Sequence, residues 1–396
     1  MVFSIAQNGK MLSMNNTKKE NILILFGADS KLEWGRSYQL ARAFHKNDHN
    51  VLYVDLPNPA SKYLIKKRSK QKINHKTFDV YQPELGLPYG KIGCLRPLNR
   101  KIIYTQLLNY LTNKRFIPTV LWVYSPYEPQ IAKSLINRFE IKKIVYDCAD
   151  DRVALAHTES GQRGGEVVEK LEKEICSFCS CVISITENLK KIKGHLHPAI
   201  HVVPNGVDCQ MFDKGKLLEK PEQLKSISGK IILYAGAVEE WIDQDTMIKA
   251  AIRYPDFSFA FVGPVRTDVS GMKVLPNIHF LGRQEYRAMP SYMAYSDLCI
   301  IPFKDNEVTR ACDPLKSLQY LAMGRPVLST WYGGINDYNG LVRVAGSSED
   351  FVEKIGEIIR NNEGLDQEKL QIVVESFSWE HLTGEALKLI DGGLSR

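Results

Sequence analysis

Short, continuous apolar runs alternate along this chain with amphipathic segments of helical period. In the first half the runs lie at 21–27 ("NILILFG"), 50–56, 119–124, 143–147 and 181–186. Runs that are apolar on both faces, rather than alternating, belong to parallel strands covered on both sides. The segments between them, such as "GRSYQLARAFHKN" and "GGEVVEKLEKEICSFC", have the spacing of crossover helices. After "HVVPNGVD" (201–208) and a Lys/Glu-rich stretch to Gly229, the same alternation restarts. Its strands fall at 230–236, 257–263, 277–282, 297–303 and 325–330. The pattern predicts an α/β protein with two Rossmann-like domains, one at 21–208 and one at 209–377. Residues 1–20 read as a polar, loosely ordered leader, and a helix within 378–396 is expected to cross back to the first domain. Two such sheets facing a central cleft line it with the carboxyl ends of their strands, where open α/β sheets bind ligands.

One stretch, "DPLKSLQYLAMGRPVLST" (313–330), reads as a helix followed by a buried strand. Asp313 suits the N-cap, Pro314 the first helical position and Gly324 the left-handed C-terminal turn, and Pro326 cannot continue a helix. Lys316 is out of place, because a cation in the first turn sits at the positive end of the helix dipole. An anion there would account for it.

Composition narrows the class. The chain has 396 residues, of which 44% are hydrophobic and 24% charged, and its mean hydropathy is −0.23. These values suit a folded globular protein. No apolar run reaches the roughly 18–20 residues that a membrane-crossing helix needs. "MVFSIA" is broken too early by Gln7, Asn8, Gly9 and Lys10 to make a signal peptide. The eight cysteines show no metal-ligand spacing and read as reduced thiols of a cytoplasmic protein. The net charge of +7 is unevenly spread: residues 1–200 hold 31 Lys+Arg against 18 Asp+Glu, and the remainder holds 21 against 27. The densest basic run, 61–76, interleaves Tyr63, Leu64 and Ile65 with its cations. It suits either a solvated loop or an anionic membrane surface. No nucleic-acid reading motif accompanies it.

In order and spacing, "VPNGVD" (203–208), "YAGAVEEWID" (234–243), "FVGP" (261–264), "NIHFLG" (277–282) and "DPLKSLQYLAMGRPVLST" resemble the family 4 glycosyltransferases, which have the GT-B fold. Together with "WGRSYQLARAF" and "YDCADD" (146–151), they are most similar to the branch that builds bacterial cell-surface polysaccharide, including teichuronic-acid-type transferases. The resemblance implies a retaining, metal-independent transfer of a sugar from a nucleoside diphosphate, with UDP as the expected nucleotide. It implies a glycan or lipid-linked acceptor and a peripheral location on the inner membrane face. No cofactor is expected, and no Asp-x-Asp follows an apolar strand in the second half.

The resemblance also assigns candidate residues. Donor binding falls to Gly236, Glu240, Trp241, Gly263, Pro264, Arg310, Asp313, Pro314, Leu315, Lys316 and Gln319. The acids Asp147, Asp150 and Asp151 lie where a group orienting the acceptor or stabilising the oxocarbenium-like state is needed, although capping of a helix beside Arg152 explains them equally simply. Trp34 and Arg36 fall on the acceptor side. Two departures stand out. The acid pair that the family carries eight positions apart is here Ala311 and Gln319, leaving Gln319 to hold the ribose and Asp313 or Glu307 to replace the other acid. The basic pair after the first strand of the second domain is replaced by Glu239 and Glu240. The diphosphate charge is therefore expected to fall to Lys316, to the free N–H groups at the start of its helix, and to Arg310. A sugar-nucleotide epimerase and a catalytically silent nucleotide- or glycan-binding partner in a polymer-synthesis complex remain as alternative readings.

Overall fold

A computed structural model describes residues 19–30, 33–57, 77–84, 96–335, 338, 340–361 and 364–393. Most of the leader and the basic run at 61–76 lie outside these residues.

The first sheet contains seven parallel strands: β1 Asn21–Gly27, β2 Asn50–Asp55, β3 Asp79–Tyr81, β4 Val120–Val123, β5 Lys143–Cys148, β6 Cys181–Ser184 and β7 Ile200–Val202, in the order β3-β2-β1-β4-β5-β6-β7. The central strand β1 pairs in register with β2 and β4, and Ile22 to Leu25 are fully buried. Its unbroken apolar run follows from helices lying on both faces of the sheet. The second sheet contains six parallel strands: β8 Lys230–Ala235, β9 Phe257–Val262, β10 Ile278–Gly282, β11 Leu298–Ile301, β12 Val327–Ser329 and β13 Val342–Val344, in the order β10-β9-β8-β11-β12-β13. Both orders reverse direction beside the first strand of their sheet, which opens a crevice at the carboxyl ends of the strands. Strands β3, β7 and β13 have no counterpart among the predicted runs. Each is three residues long and lies at a sheet edge.

Three features tie the two halves together. The helix Trp379–Gly393 packs on the helix Arg36–Lys46, and Trp379, Leu382 and Ile390 join the same buried cluster as Ile22 and Trp122. At the junction, Val207 bridges to Ser378 in parallel. The short helix Glu307–Ala311, capped by reciprocal bonds between Asn306 and Thr309, lies against the helices Arg152–Cys176 and Glu187–Lys193 and inserts Ala311 into the core of the first half. Among the described residues, no helix is long and apolar enough to cross a membrane.

Candidate functional site

The helix in the 313–330 stretch runs from Lys316 to Ala322 and is preceded by Leu315 rather than capped by Asp313. Asp313 is drawn away by the interdomain junction. Its carboxylate accepts the backbone N–H of Asn205 at 2.7 Å, and the Asn205 side-chain amide donates to the Asp313 carbonyl. Burial pushes the Asp313 carboxyl up to about 7. Asn205 is held in turn by Arg36, whose guanidinium also donates to the carbonyls of Val203 and Pro204. Arg36 is buried and ion-paired with Asp147 at 3.0 Å, and Asp147, with no exposed surface, also accepts from the Trp122 indole. The expected placement of Asp147 in the cleft and of Arg36 on its acceptor side is therefore corrected. The two residues satisfy each other inside the first half, as a buried charge pair must.

Lys316 points the other way, into a cavity of about 320 Å³ between the two halves. Asp150, Asp151 and Leu155 contribute the wall from the first half. Trp241, Phe303, Val308, Thr309, Ala311, Cys312, Pro314 and Lys316 contribute the wall from the second. The Lys316 ammonium lies over the rings of Tyr234 and Phe303, 5.5 and 5.6 Å from their centroids. Among the described residues it has no hydrogen-bond or ion-pair partner. Burial lowers its pKa to about 8, so at neutral pH it is a charged group without a counter-ion. Gly236 makes room for it: a Cβ there would lie 2.4 Å from Lys316 Cε, and φ is +152°. Gly263 has the same φ, and a Cβ on it would lie 2.0 Å from the Gly236 carbonyl oxygen, so the ends of β8 and β9 approach as only glycines allow. The Pro264 carbonyl accepts from the N–H of Val238, closing the same pair of loops.

Asp150 faces Lys316's cavity from the first half, its carboxylate also without a partner among the described residues. Burial raises its pKa, and the charges of Arg152 and Arg36 partly oppose the rise. Asp151 caps the helix Arg152–Cys176 by accepting from the Ala154 N–H and pairs with buried Lys193 at 2.9 Å. Lys193 in turn holds the fully buried Glu172.

Several predicted residues are committed elsewhere. Gln319 is buried and donates to the Tyr286 hydroxyl at 3.1 Å, so its amide is not turned freely toward a ligand. Arg310 is exposed and pairs with Asp305 at 2.7 Å, outside the cavity. Glu240 is exposed beside Trp241, and Leu315 packs against the core of the first half. Trp34 is 43% exposed on the loop after β1 and does not line the cavity, while its neighbour Glu33 reaches across the cleft to Arg287 at 3.0 Å. Tyr234, Phe303, Val308, Thr309 and Cys312 went unrecognised as site residues. Phe303, Val308, Thr309 and Cys312 all fall in the segment 303–313 that follows β11, where a strand's carboxyl end meets the cleft, and that position is the signal that indicates them. Among the described residues there is no group of three His, Cys, Asp or Glu side chains able to hold a metal ion.

Two parallel Rossmann-like sheets facing a cleft, with the lysine of the 313–330 stretch at its floor, point to one fold type. A protein-family model described as Glycosyl transferases group 1 matches residues 229–361. Over that third of its length the chain is similar to this group of glycosyltransferases, and its two-sheet fold is of the GT-B type. The two-sheet architecture recurs in solved structures that cover 94–95% of the chain. Sucrose-phosphate synthase from Thermosynechococcus elongatus superposes with a TM-score of 0.70 at 14% identity, covering 95% of this chain and 100% of that one. HepE of Anabaena, solved with UDP and glucose, gives a TM-score of 0.65 at 15% identity, covering 94% and 100%. In sequence, TuaH of Bacillus subtilis (strain 168), whose name assigns it as a teichuronic acid biosynthesis glycosyltransferase, is 27% identical over 221 residues. That match covers 53% of this chain and 55% of TuaH, so the alignment spans about half of each.

Proposed function

We propose that this protein transfers a sugar from a nucleoside diphosphate sugar, UDP being the expected nucleotide, to a glycan or lipid-linked glycan in cell-surface polysaccharide synthesis. The observation that carries the proposal is the uncompensated Lys316 ammonium in the cavity between the halves. The relation to a teichuronic acid transferase and the fold shared with a UDP-bound protein support the choice of donor and process. In this reading residues 209–377 bind the donor. Residues 21–208, with 378–396 crossing back, present the acceptor at the inner face of the membrane.

The chemistry follows from the charges. The bond between the anomeric carbon and the phosphate oxygen breaks, and its electron pair stays on the diphosphate. Lys316, already stripped of part of its water, stabilises that charge without reorganising. The acceptor hydroxyl oxygen bonds to the anomeric carbon from the same face, which retains configuration, and its proton passes to the leaving phosphate. Asp150, across the cavity, stabilises the positive charge developing on the sugar ring. Trp241 borders the nucleotide, and Gly236, Gly263 and Pro264 form the loops beside it. Asp151 serves by capping the helix Arg152–Cys176, which fixes the turn that holds Asp150 at the cleft. No step in this scheme is assigned to a metal ion.

Purified protein incubated with UDP-sugars and a membrane fraction should release UDP and label a lipid-linked product. Failure to bind any sugar nucleotide, together with absence of nucleotide release, would refute the proposal. An isomerised sugar nucleotide formed without membranes would favour an epimerase. Binding without turnover would favour a silent partner, a reading to which the absent acids at Ala311 and Gln319 lend weight.

A further inference from the structure

Among the described residues, and apart from Asp150, Lys316 and the Trp241 indole N–H, the side chains facing the cavity offer a bound sugar little hydrogen bonding. Leu155, Trp241, Phe303, Val308, Ala311 and Pro314 form most of its walls. The other polar groups are already engaged. Asp151 is held by Lys193 and by the Ala154 N–H. The Thr309 hydroxyl donates to the Lys304 carbonyl at 2.6 Å and accepts from the Asn306 N–H at 3.0 Å. The Cys312 thiol leans on the Thr309 carbonyl, and burial pushes its pKa up to about 12, so it remains neutral. With Lys316 assigned to the diphosphate, the Asp150 carboxylate and the Trp241 indole N–H are the free polar side-chain groups left among these for the sugar. A fully hydroxylated hexose has several hydroxyls to satisfy, and each one buried without a partner costs about 1–3 kcal/mol.

We infer that the donor is a deoxysugar nucleotide, one that presents a methyl or methylene group to the Val308–Ala311 wall where a common hexose presents a hydroxyl. This rests on the reading of the cavity as the donor site. Ala311 closes the back of that wall: it is 2% exposed, on a helix docked against the first half, and brings no hydrogen-bonding group to the cavity. Asp150 then engages a remaining hydroxyl, while the apolar edge of the ring lies against Val308 and Phe303.

The test is calorimetric titration of the intact protein with free UDP, GDP and dTDP, and then with donor pairs that share a base. Suitable pairs are UDP-glucose with UDP-6-deoxyglucose, GDP-mannose with GDP-6-deoxymannose, and dTDP-glucose with dTDP-6-deoxyglucose. The deoxy member of the pair on the preferred base should bind about 10- to 100-fold more tightly, the discrimination expected of an apolar pocket against an added hydroxyl. Val308→Thr adds a hydroxyl to the wall at nearly constant volume and should narrow that preference about 3- to 10-fold. Equal or tighter binding of the hexose member, with the nucleotides still bound, overturns this inference and leaves the donor site standing. An unchanged preference in Val308→Thr overturns the assignment of that wall. No binding of any nucleotide overturns the donor site itself, and the inference falls with it.

Discussion

Replacing Lys316 with methionine separates a binding charge from a packing role. Methionine keeps most of the aliphatic stem and its contact with the rings of Tyr234 and Phe303. No hydrogen bond or ion pair recorded among the described residues is lost. Burial takes the ammonium from its usual 10.5 to about 8. At roughly 1.4 kcal/mol per pH unit, the folded state is disfavoured at pH 7 by at most about 3.5 kcal/mol, and by less once solvent screening of a partly buried group is allowed for. Because the folded pKa lies below the unfolded one, the penalty is fully present below pH 8 and fades as pH rises toward 10.5. Lys316→Met should therefore raise Tm by a few degrees at pH 7, with the gain shrinking above pH 8. The same change removes the group that stabilises the leaving diphosphate, so turnover should fall about 10²- to 10³-fold. Differential scanning fluorimetry across pH, alongside a nucleotide-release assay, reads both effects. Activity within tenfold of the parent, or a Tm several degrees lower, would refute the reasoning.

Gly236→Ala should displace Lys316, because its Cβ would meet Lys316 Cε at 2.4 Å and the backbone would be strained at φ +152°; nucleotide affinity by calorimetry should fall by about tenfold or more. Asn205→Ala removes the side-chain bond to the Asp313 carbonyl and the acceptor for Arg36, and should cost about 1–3 kcal/mol in urea unfolding while also weakening nucleotide binding. Asp313, whose folded pKa is raised to about 7, favours the folded state most below pH 4 and loses that advantage as pH rises to 7. Relative to the parent, Asp313→Asn should thus become more stable between pH 4 and 7 and level off above, as read from paired Tm measurements. Asp150→Asn should lower kcat about 10²-fold with little change in donor Kd, and an unaltered kcat would remove Asp150 from the mechanism.

The fold was legible where burial is two-sided and local. Strands β1 and β8 have no polar break in their centres and could be read directly, whereas β3, β7 and β13 are edge strands too short to show a run. The site was legible only in part, because the side chains that decide it are fixed by distant partners. Asp313 has good N-cap chemistry, yet Asn205, 108 positions away, takes its carboxylate and the helix starts at Lys316. Asp147 and Arg36, 111 positions apart, neutralise each other, and Tyr286 occupies Gln319. Lys316 stands out in the sequence for the opposite reason: its oddity is local, a cation in a first turn, and no partner elsewhere in the described chain cancels it.

The most direct measurement is a crystal structure of the protein with the nucleoside diphosphate that binds it. The account predicts a phosphate oxygen within about 3 Å of Lys316 Nζ, in the cavity between Asp150 and Trp241. A diphosphate bound elsewhere, with the Lys316 ammonium still uncompensated over Tyr234 and Phe303, would contradict it.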